Sequence, residues 1–323
     1  MGLRSVPVME FPLAWVPFDV GRLEPLPAGI EVEEYADGPL PSSASRVRLL
    51  VPAYETVMDL SDLLARLPAL QVLQTQTAGV DTIEEQVPAH ITLCNARGVH
   101  DASTAELAMA LILASLRGLP DFVRQAETGR WHREVRSSLA DRRVLVIGAG
   151  SIAGALERRL DGFECEIVRV ARRAREGVHA WQELPSLIPE ADVVVLLVPL
   201  TDKTRGLVDR AFLARMRDGA LLVNVARGAV VDTDALVAEC ASGRLLAALD
   251  VTDPEPLPSH HRLWRTPGVL ISPHVGGAST AMEPRVNSLI RDQLGRFAGG
   301  EPLLNVVRPG RGLNVRPAPT SPT

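Results

Sequence analysis

Apolar and polar positions alternate in two rhythms along this chain of 323 residues. In the first hundred positions, short apolar runs at Pro12–Val16, Val47–Val51, Leu70–Gln74 and Ile91–Cys94 read as strands. Asp59–Arg66 carries its apolar residues at helical spacing between two of them. From Ser103 to Leu119 the pattern is helical and apolar on most sides, so this helix is expected to be buried, with Ser103 or Thr104 as its N-cap. A polar stretch, Glu127–Asp141, follows and contains Trp131.

Beyond it the alternation becomes strict. Strands are expected at Val144–Ile147, Glu166–Val170, Asp192–Val198, Ala220–Val225, Leu246–Leu249 and Val269–Ile271. Helices are expected at Ser151–Leu160, Arg210–Met216 and Thr233–Ser242. Continuous Val, Leu and Ile strands separated by amphipathic helices indicate a parallel sheet covered on both faces. A last helix, Ala281–Phe297, is expected to return to the first domain, and the Pro-, Gly- and Arg-rich tail after Val307 reads as disordered.

Composition narrows this picture without redirecting it. The length favours two domains. Hydrophobic residues at 46% and charged residues at 23% are ordinary for a globular protein. A net charge of -5 is too mild to call for nucleic acid or a membrane, and no apolar run reaches spanning length. The N-terminus is interrupted by Glu10 and by Pro7, Pro12 and Pro17, unlike a signal peptide, and Val6 stands where a myristoylation signal needs Ser or Thr. Cys94, Cys165 and Cys240 are far apart and form no CxxC pair, so neither a disulfide framework nor a metal site is expected, and the expected location is cytoplasmic.

Gly148-Ala149-Gly150-Ser151-Ile152-Ala153-Gly154 lies between an expected strand and an expected helix. Gly148 permits the tight turn, Gly150 lets backbone approach a pyrophosphate, and the helix N-terminus offers unpaired N–H groups to that anion. Ala153 takes the third glycine position, with Gly154 displaced by one. At the end of the next strand an NAD site places Asp or Glu for the ribose hydroxyl, whereas this chain has Ala171, Arg172 and Arg173. Two guanidiniums there suit a 2′-phosphate, so NADP is the preferred cofactor over NAD.

Arg227, Glu255 and His274 supply a fixed cation, a carboxylate and an imidazole, each following an expected strand. Open α/β sheets bind ligands at those strand ends. Reducing a ketone by hydride needs a proton donor, which an imidazole provides near neutral pH; a carboxylate partner fixes its tautomer. An arginine holds a substrate carboxylate and polarises the carbonyl. Each residue alone also fits an ordinary surface or turn position, and it is their company with a dinucleotide loop that points to chemistry.

The motifs NVARGAVVD, ALDV followed by EPLP, LWRTPGVLISPHVGG, PLTDKTRGLV and STAELAMALILA occur in order, and from about Val47 to Val307 the chain resembles the D-isomer-specific 2-hydroxyacid dehydrogenases. That family includes D-3-phosphoglycerate, glyoxylate/hydroxypyruvate, D-lactate and formate dehydrogenases. The resemblance implies that Arg227 binds and orients the substrate, that His274 is the acid–base, and that Glu255 pairs with it. It puts Asp250, with the backbone of Val225 and Ala226, at the nicotinamide carboxamide, and Ser151 and Ile152 at the pyrophosphate. Pro199, Gly276 and Gly277 border the cofactor by the same likeness, and Ala78, Gly79 and Val80 belong to a loop whose amides cradle the substrate carboxylate. Leu197 stands where many members carry His, and His261-Arg262 where His-Pro is usual.

The expected architecture is α/β: a Rossmann doubly wound parallel sheet (101–279) inserted into a flavodoxin-like substrate domain (1–100, with a return helix at 280–308 and a disordered tail at 309–323). The resemblance implies a homodimer through the 103–131 arm, a cleft that closes over the substrate, and reduction of a small 2-oxoacid such as glyoxylate or hydroxypyruvate. A dinucleotide-sensing corepressor-like protein is the alternative. Tyr54 is a candidate pocket residue, and which oxoacid enters is left open.

Overall fold

The computed structural model describes residues 11–54 and 60–311. The readings that rest on residues 1–10, on Asp59 and on the tail from 312 lie outside these described residues. The chain divides into two compact units, one built from the segments up to Val99 and from Met282 onward, the other from His100–Ala281.

The first segment contains β1 (Leu13–Val16), β2 (Glu31–Glu34), β3 (Val47–Leu50), α1 (Leu60–Ala65), β4 (Val72–Gln74) and β5 (Thr92–Cys94). The second unit opens with α2 (Asp101–Leu116) and α3 (Leu119–Glu127), then β6 (Arg143–Ile147), α4 (Ser151–Leu160), β7 (Glu166–Ala171) and β8 (His179–Ala180). It continues through α5 (Leu184–Leu187), β9 (Val193–Leu196), α6 (Arg210–Arg215), β10 (Leu221–Asn224), α7 (Thr233–Ala241), β11 (Leu246–Leu249) and β12 (Val269–Ile271). The chain then returns to the first unit with α8 (Met282–Gly299) and β13 (Val306–Arg308).

In the first unit the strand order is β13-β5-β4-β3-β1-β2, parallel except for β13. Without β13 this is the flavodoxin-like order. β2 was not expected from the sequence. Its EVEE segment is an edge strand, and charge on an edge discourages pairing with another chain. Glu31 pairs with Arg46, while Glu33 accepts from the Trp15 indole and the Ser43 hydroxyl. One face of the sheet buries Leu13, Trp15 and Leu73 against Leu60, Leu63 and Leu64 of α1, and the other buries Ala14, Leu49 and Val72 against Val286, Ile290 and Leu294 of α8.

The second unit holds a parallel sheet in the order β12-β11-β10-β9-β6-β7-β8, with the strand sequence reversing between β6 and β9. The central strands, β6, β9, β10 and β11, are almost wholly apolar because both faces are covered there, whereas β7, nearer the edge, carries Glu166 and Arg169. Val144, Val146, Val193 and Val195 pack under α2 and α4, while Leu145, Ile147, Val194 and Leu196 pack on the opposite side with Phe212 and Leu236. Alanines at 105 and 108 of α2, and at 153 and 155 of α4, are buried in the first of these layers.

Several boundaries differ from the sequence reading. Helix α2 begins at Asp101 with His100 as its N-cap, and Ser103 lies inside the first turn with its hydroxyl donating back to the His100 carbonyl. Gly118, at φ 65°, breaks the helix, and the chain restarts as α3 rather than entering the polar stretch directly. At the other end the bonded chain extends past Arg308: Gly310 N–H donates to the Thr92 hydroxyl and Arg311 N–H to the Ala89 carbonyl. No single helix among the described residues is long and apolar enough to cross a membrane; only α2 and α3 taken together meet the length and composition, and they are bent by 66°.

Candidate active site

The glycine loop leaves β6 where the strand order reverses. Gly148 has φ +113°, and a Cβ there would lie 2.5 Å from the Leu197 carbonyl oxygen after β9. Only glycine tolerates both the conformation and the contact. Gly150 caps α4 in extended backbone, and a Cβ built there meets nothing within 4 Å, so open space faces the start of the helix. An anion fits there, at the positive end of the helix. Ala153, 2% exposed, fills the packing position in the core, whereas Gly154 faces outward, its nearest neighbour being the Arg158 guanidinium. The Ser151 hydroxyl donates to Asp101, tying α4 to the first turn of α2; Ile152 is half-buried beside it.

Arg172 and Arg173 are exposed just past β7. The sequence reading passed over Arg175, whose Nη2 donates to the Ala149 carbonyl at 2.7 Å and so lies against the glycine loop. Its signal was present in the same ARRAR run, but contact with residue 149 is a property of the fold.

The ends of three adjacent strands carry the other candidates. At the end of β10, the buried Asn224 accepts from the Ala226 N–H at 3.0 Å and donates to the Arg227 carbonyl at 2.9 Å. This Asx-type brace fixes the Val225–Ala226 turn and the backbone of Arg227, whose guanidinium donates to the Ala226 carbonyl. The sequence reading did not single out Asn224.

After β11, Asp250 is 3% exposed. Its carboxylate accepts from the Ser272 hydroxyl at 2.6 Å and from the Val275 and Gly276 N–H groups, each at 2.9 Å. Its carbonyl accepts from the His274 N–H at 2.7 Å. Asp250 thus anchors the loop after β12, where His274 sits at φ +52°. A Cβ at Gly276 would come 2.9 Å from the Asp250 carboxylate, which explains the glycine. Gly277 continues the same loop, one step further along.

His274 Nδ1 is hydrogen-bonded to Glu255, which leaves Nε2 as the other ring nitrogen. That bond, reinforced by the Glu255 charge and by Asp250 against the effects of burial and Arg227, holds the His274 pKa above the usual imidazole value. Partial burial pushes Glu255 up, but the His274 bond and charge, the Thr252 amide and Arg227 together hold it below the usual carboxylate range. Both shifts favour the charged pair. Arg227 acts electrostatically on both members, so the structure brings all three residues into one field.

Pro199, after β9, accepts from the Thr204 hydroxyl at 2.6 Å, and the same hydroxyl accepts from the Thr201 N–H, closing a compact turn. In the first unit the 77–80 turn has all four of its carbonyls occupied. Thr77 accepts from the Ala96 N–H and the Thr75 hydroxyl, Ala78 from the Asn95 amide, Gly79 from the Thr77 hydroxyl, and Val80 from the Ile83 and Glu84 N–H groups. In a trans peptide the N–H points opposite to the carbonyl, so the Ala78, Gly79 and Val80 N–H groups turn away from these donors. Beside this turn lies a cavity of about 310 Å³ lined by Tyr54, Leu60, Gln76, Thr82 and Ile83 among others.

Burial pushes the Cys94 and Cys240 thiols up to about 12, so neither is a nucleophile near neutral pH. Among the described residues no group of three or more His, Cys, Asp or Glu is placed to hold a metal ion.

Residues 109–276 match the profile of the D-isomer specific 2-hydroxyacid dehydrogenase NAD binding domain. The human glyoxylate reductase/hydroxypyruvate reductase is 31% identical over 297 residues, 85% of this chain and 90% of that protein. Among solved structures, a D-isomer specific 2-hydroxyacid dehydrogenase from Xanthobacter autotrophicus Py2 in complex with NADPH and MES is 29% identical with a TM-score of 0.78, covering 92% of this chain and 98% of that one. An NADPH-dependent glyoxylate/hydroxypyruvate reductase from Sinorhizobium meliloti, in complex with NADP and malonate, is 27% identical with a TM-score of 0.75, covering 92% and 97%. With a dinucleotide loop at the sheet's reversal point and matches along most of its length, this chain belongs to the D-isomer specific 2-hydroxyacid dehydrogenase family of NAD(P)-dependent oxidoreductases.

Proposed function

We propose that this enzyme reduces glyoxylate, hydroxypyruvate or a 2-oxoacid of similar size to the D-2-hydroxyacid, with NADPH preferred over NADH. The observation that carries the chemistry is the hydrogen-bonded Glu255–His274 pair in the field of Arg227, on the ends of β10, β11 and β12. The bound dihydronicotinamide supplies the hydride. His274, with Nδ1 engaged by Glu255, holds its transferable proton on Nε2 and gives it to the carbonyl oxygen as charge develops there. Glu255 keeps the imidazole protonated and oriented between turnovers. Arg227 takes the substrate carboxylate and polarises the neighbouring carbonyl, and the amides of Ala78, Gly79 and Val80 offer that carboxylate further donors.

For the cofactor, Gly148 and Gly150 leave the space a pyrophosphate needs, while Ser151 and Ile152 stand at the helix start that faces it. Val225, Ala226, Pro199, Gly276 and Gly277 are assigned to the nicotinamide half. Asp250 does more than the resemblance suggested, because it also anchors the His274 loop. Preference for NADP rests on Arg172 and Arg173, exposed just past β7, and on Arg175, which lies against the glycine loop. The two solved relatives named above carry NADPH and NADP.

We also propose a cytoplasmic homodimer. Leu119, Val123, Trp131 and Val135 are 49%, 60%, 99% and 97% exposed, and a second copy is the occupant the family resemblance suggests for them. A stable monomer in sedimentation at micromolar protein would refute the dimer. The substrate reading is tested by initial rates over a panel of 2-oxoacids with NADPH and NADH. Turnover confined to long or branched oxoacids would overturn the substrate class, and NADPH binding without any turnover would favour the binding-protein alternative.

A further inference from the structure

Gln293 of α8 and Gln74 at the end of β4 are both fully buried, each at 0% exposure. A buried amide is retained only where its donors and acceptor are satisfied. Gln293 Nε2 donates to Gln74 Oε1 at 2.7 Å and to the Leu304 carbonyl at 3.1 Å, and its Oε1 accepts from the Leu304 N–H at 2.8 Å. Gln74, with its oxygen held, donates from Nε2 to the Thr75 carbonyl at 2.8 Å and to the Asn95 carbonyl at 3.0 Å. It therefore ties together the chain leaving β4 and the chain leaving β5. The Asn95 side chain completes the series: its oxygen accepts from the Arg97 N–H at 3.1 Å and its nitrogen donates to the Ala78 carbonyl at 2.7 Å.

The acceptor at the end of this series decides its meaning. Fixing the Ala78 carbonyl fixes the plane of the Ala78–Gly79 peptide and hence the direction of the Gly79 N–H. Thr75 and Thr77 do the same for the neighbouring peptides through their hydroxyls. We propose that Gln293, Gln74 and Asn95 form an amide relay of positioning residues that aims the 78–80 amides and so sets the affinity for the substrate carboxylate. The inference rests on reading that turn as the carboxylate cradle. It gives the return helix α8 a part in substrate binding although Gln293 itself touches no substrate.

The experiment uses the full chain, with glyoxylate and NADPH for initial rates and oxalate as a non-reacting competitor. Gln293→Leu is expected to raise the KM for glyoxylate and the Ki for oxalate together by about five- to tenfold, the scale of one misdirected hydrogen bond, with kcat within about twofold of wild type. The KM for NADPH should stay unchanged. Ile290→Val, a core truncation on the same helix, is the control: it should lower Tm without moving the KM for glyoxylate. Asn95→Ala, at a half-buried position, provides a second variant should Gln293→Leu fail to fold, and it should raise the same two constants. Unchanged glyoxylate KM and oxalate Ki in either folded variant overturns the relay, as does a KM rise in Ile290→Val equal to that of Gln293→Leu. A wild-type enzyme that reduces other 2-oxoacids but neither binds oxalate nor turns over glyoxylate would instead strike the substrate reading.

Discussion

Substituting the two glycines of the nucleotide loop should separate fold from binding. At Gly148 an added Cβ meets the Leu197 carbonyl oxygen at 2.5 Å and carbon at 2.7 Å, and the backbone is at φ +113°. Positive φ costs alanine about 1–2 kcal/mol, and forcing an extra carbon against backbone that cannot swing aside adds about 1–3 kcal/mol. The sum is about 2–5 kcal/mol. For a unit the size of His100–Ala281, each kcal/mol lowers Tm by about 2–4 °C, so Gly148→Ala should melt about 4–20 °C early. It should also bind NADPH poorly, since the loop must move. Gly150 differs: its backbone is extended, and a Cβ there meets nothing within 4 Å. Gly150→Ala should therefore keep Tm within about 4 °C, the N-cap change costing under about 1 kcal/mol. It should nevertheless raise the NADPH Kd at least about tenfold, because the methyl group stands where the pyrophosphate approaches. The assays are thermal melts with and without NADPH and titration of NADPH fluorescence. Saturating NADPH, which stabilises the wild type by about 2.7 kcal/mol at a hundredfold excess over Kd, should give Gly150→Ala much less. Wild-type NADPH affinity in Gly150→Ala would refute the placement of the pyrophosphate, and a wild-type Tm in Gly148→Ala would refute the close approach at the reversal point.

His274→Ala is expected to lose about 10²–10⁴ in kcat with the NADPH Kd unchanged; a variant of near-wild-type rate would remove His274 from the acid–base role. In Glu255→Gln the alkaline limb of kcat/KM for reduction should move to lower pH, because Glu255 is what raises the His274 pKa; a limb that stays in place refutes the pairing. The pair's contribution to stability is lost as pH rises through the His274 folded pKa, and lost again as pH falls through that of Glu255. Both side chains are partly exposed, at 48% and 38%, so the Tm change near neutral pH should correspond to under about 1 kcal/mol. Arg172→Ala with Arg173→Ala should raise the NADPH KM by about tenfold or more, as expected for lost charge-assisted bonds, and leave NADH unaffected; an unchanged NADPH/NADH ratio refutes a 2′-phosphate site at that turn.

Much of the second unit was legible because its central strands are buried on both faces and its turns carry glycine or Asx residues. Leu246–Leu249, Val269–Ile271 and Ser151–Leu160 stand where the apolar pattern placed them. The edges were harder. EVEE carries no apolar alternation, since β2 is an edge strand and its glutamates pair with Arg46, Trp15 and Ser43. The start of α2 was misplaced because a Ser–Thr pair resembles a cap, whereas the backbone turns helical from Asp101. Arg227, Glu255 and His274 were visible as residue types after strands. Their supports were not. Asn224, Arg175, and the Gln293–Gln74 bond between residues 219 positions apart are contacts made by the fold, and a single sequence does not carry contacts of that range.

That separation also orders events during synthesis. The second unit is one continuous stretch and holds all of its sheet partners as soon as Ala281 is made. The first unit must wait for α8 and β13, its bond from Gln74 to Gln293 spanning 219 residues. At about 5–20 residues per second, β4 is exposed for roughly 10–45 s before the helix that covers one face of its sheet exists. A nascent chain stalled near residue 281 should therefore contain a complete second unit attached to an unfinished first unit. The face of the sheet bearing Ala14, Leu49 and Val72, uncovered until α8 arrives, is the surface on which a chaperone would act.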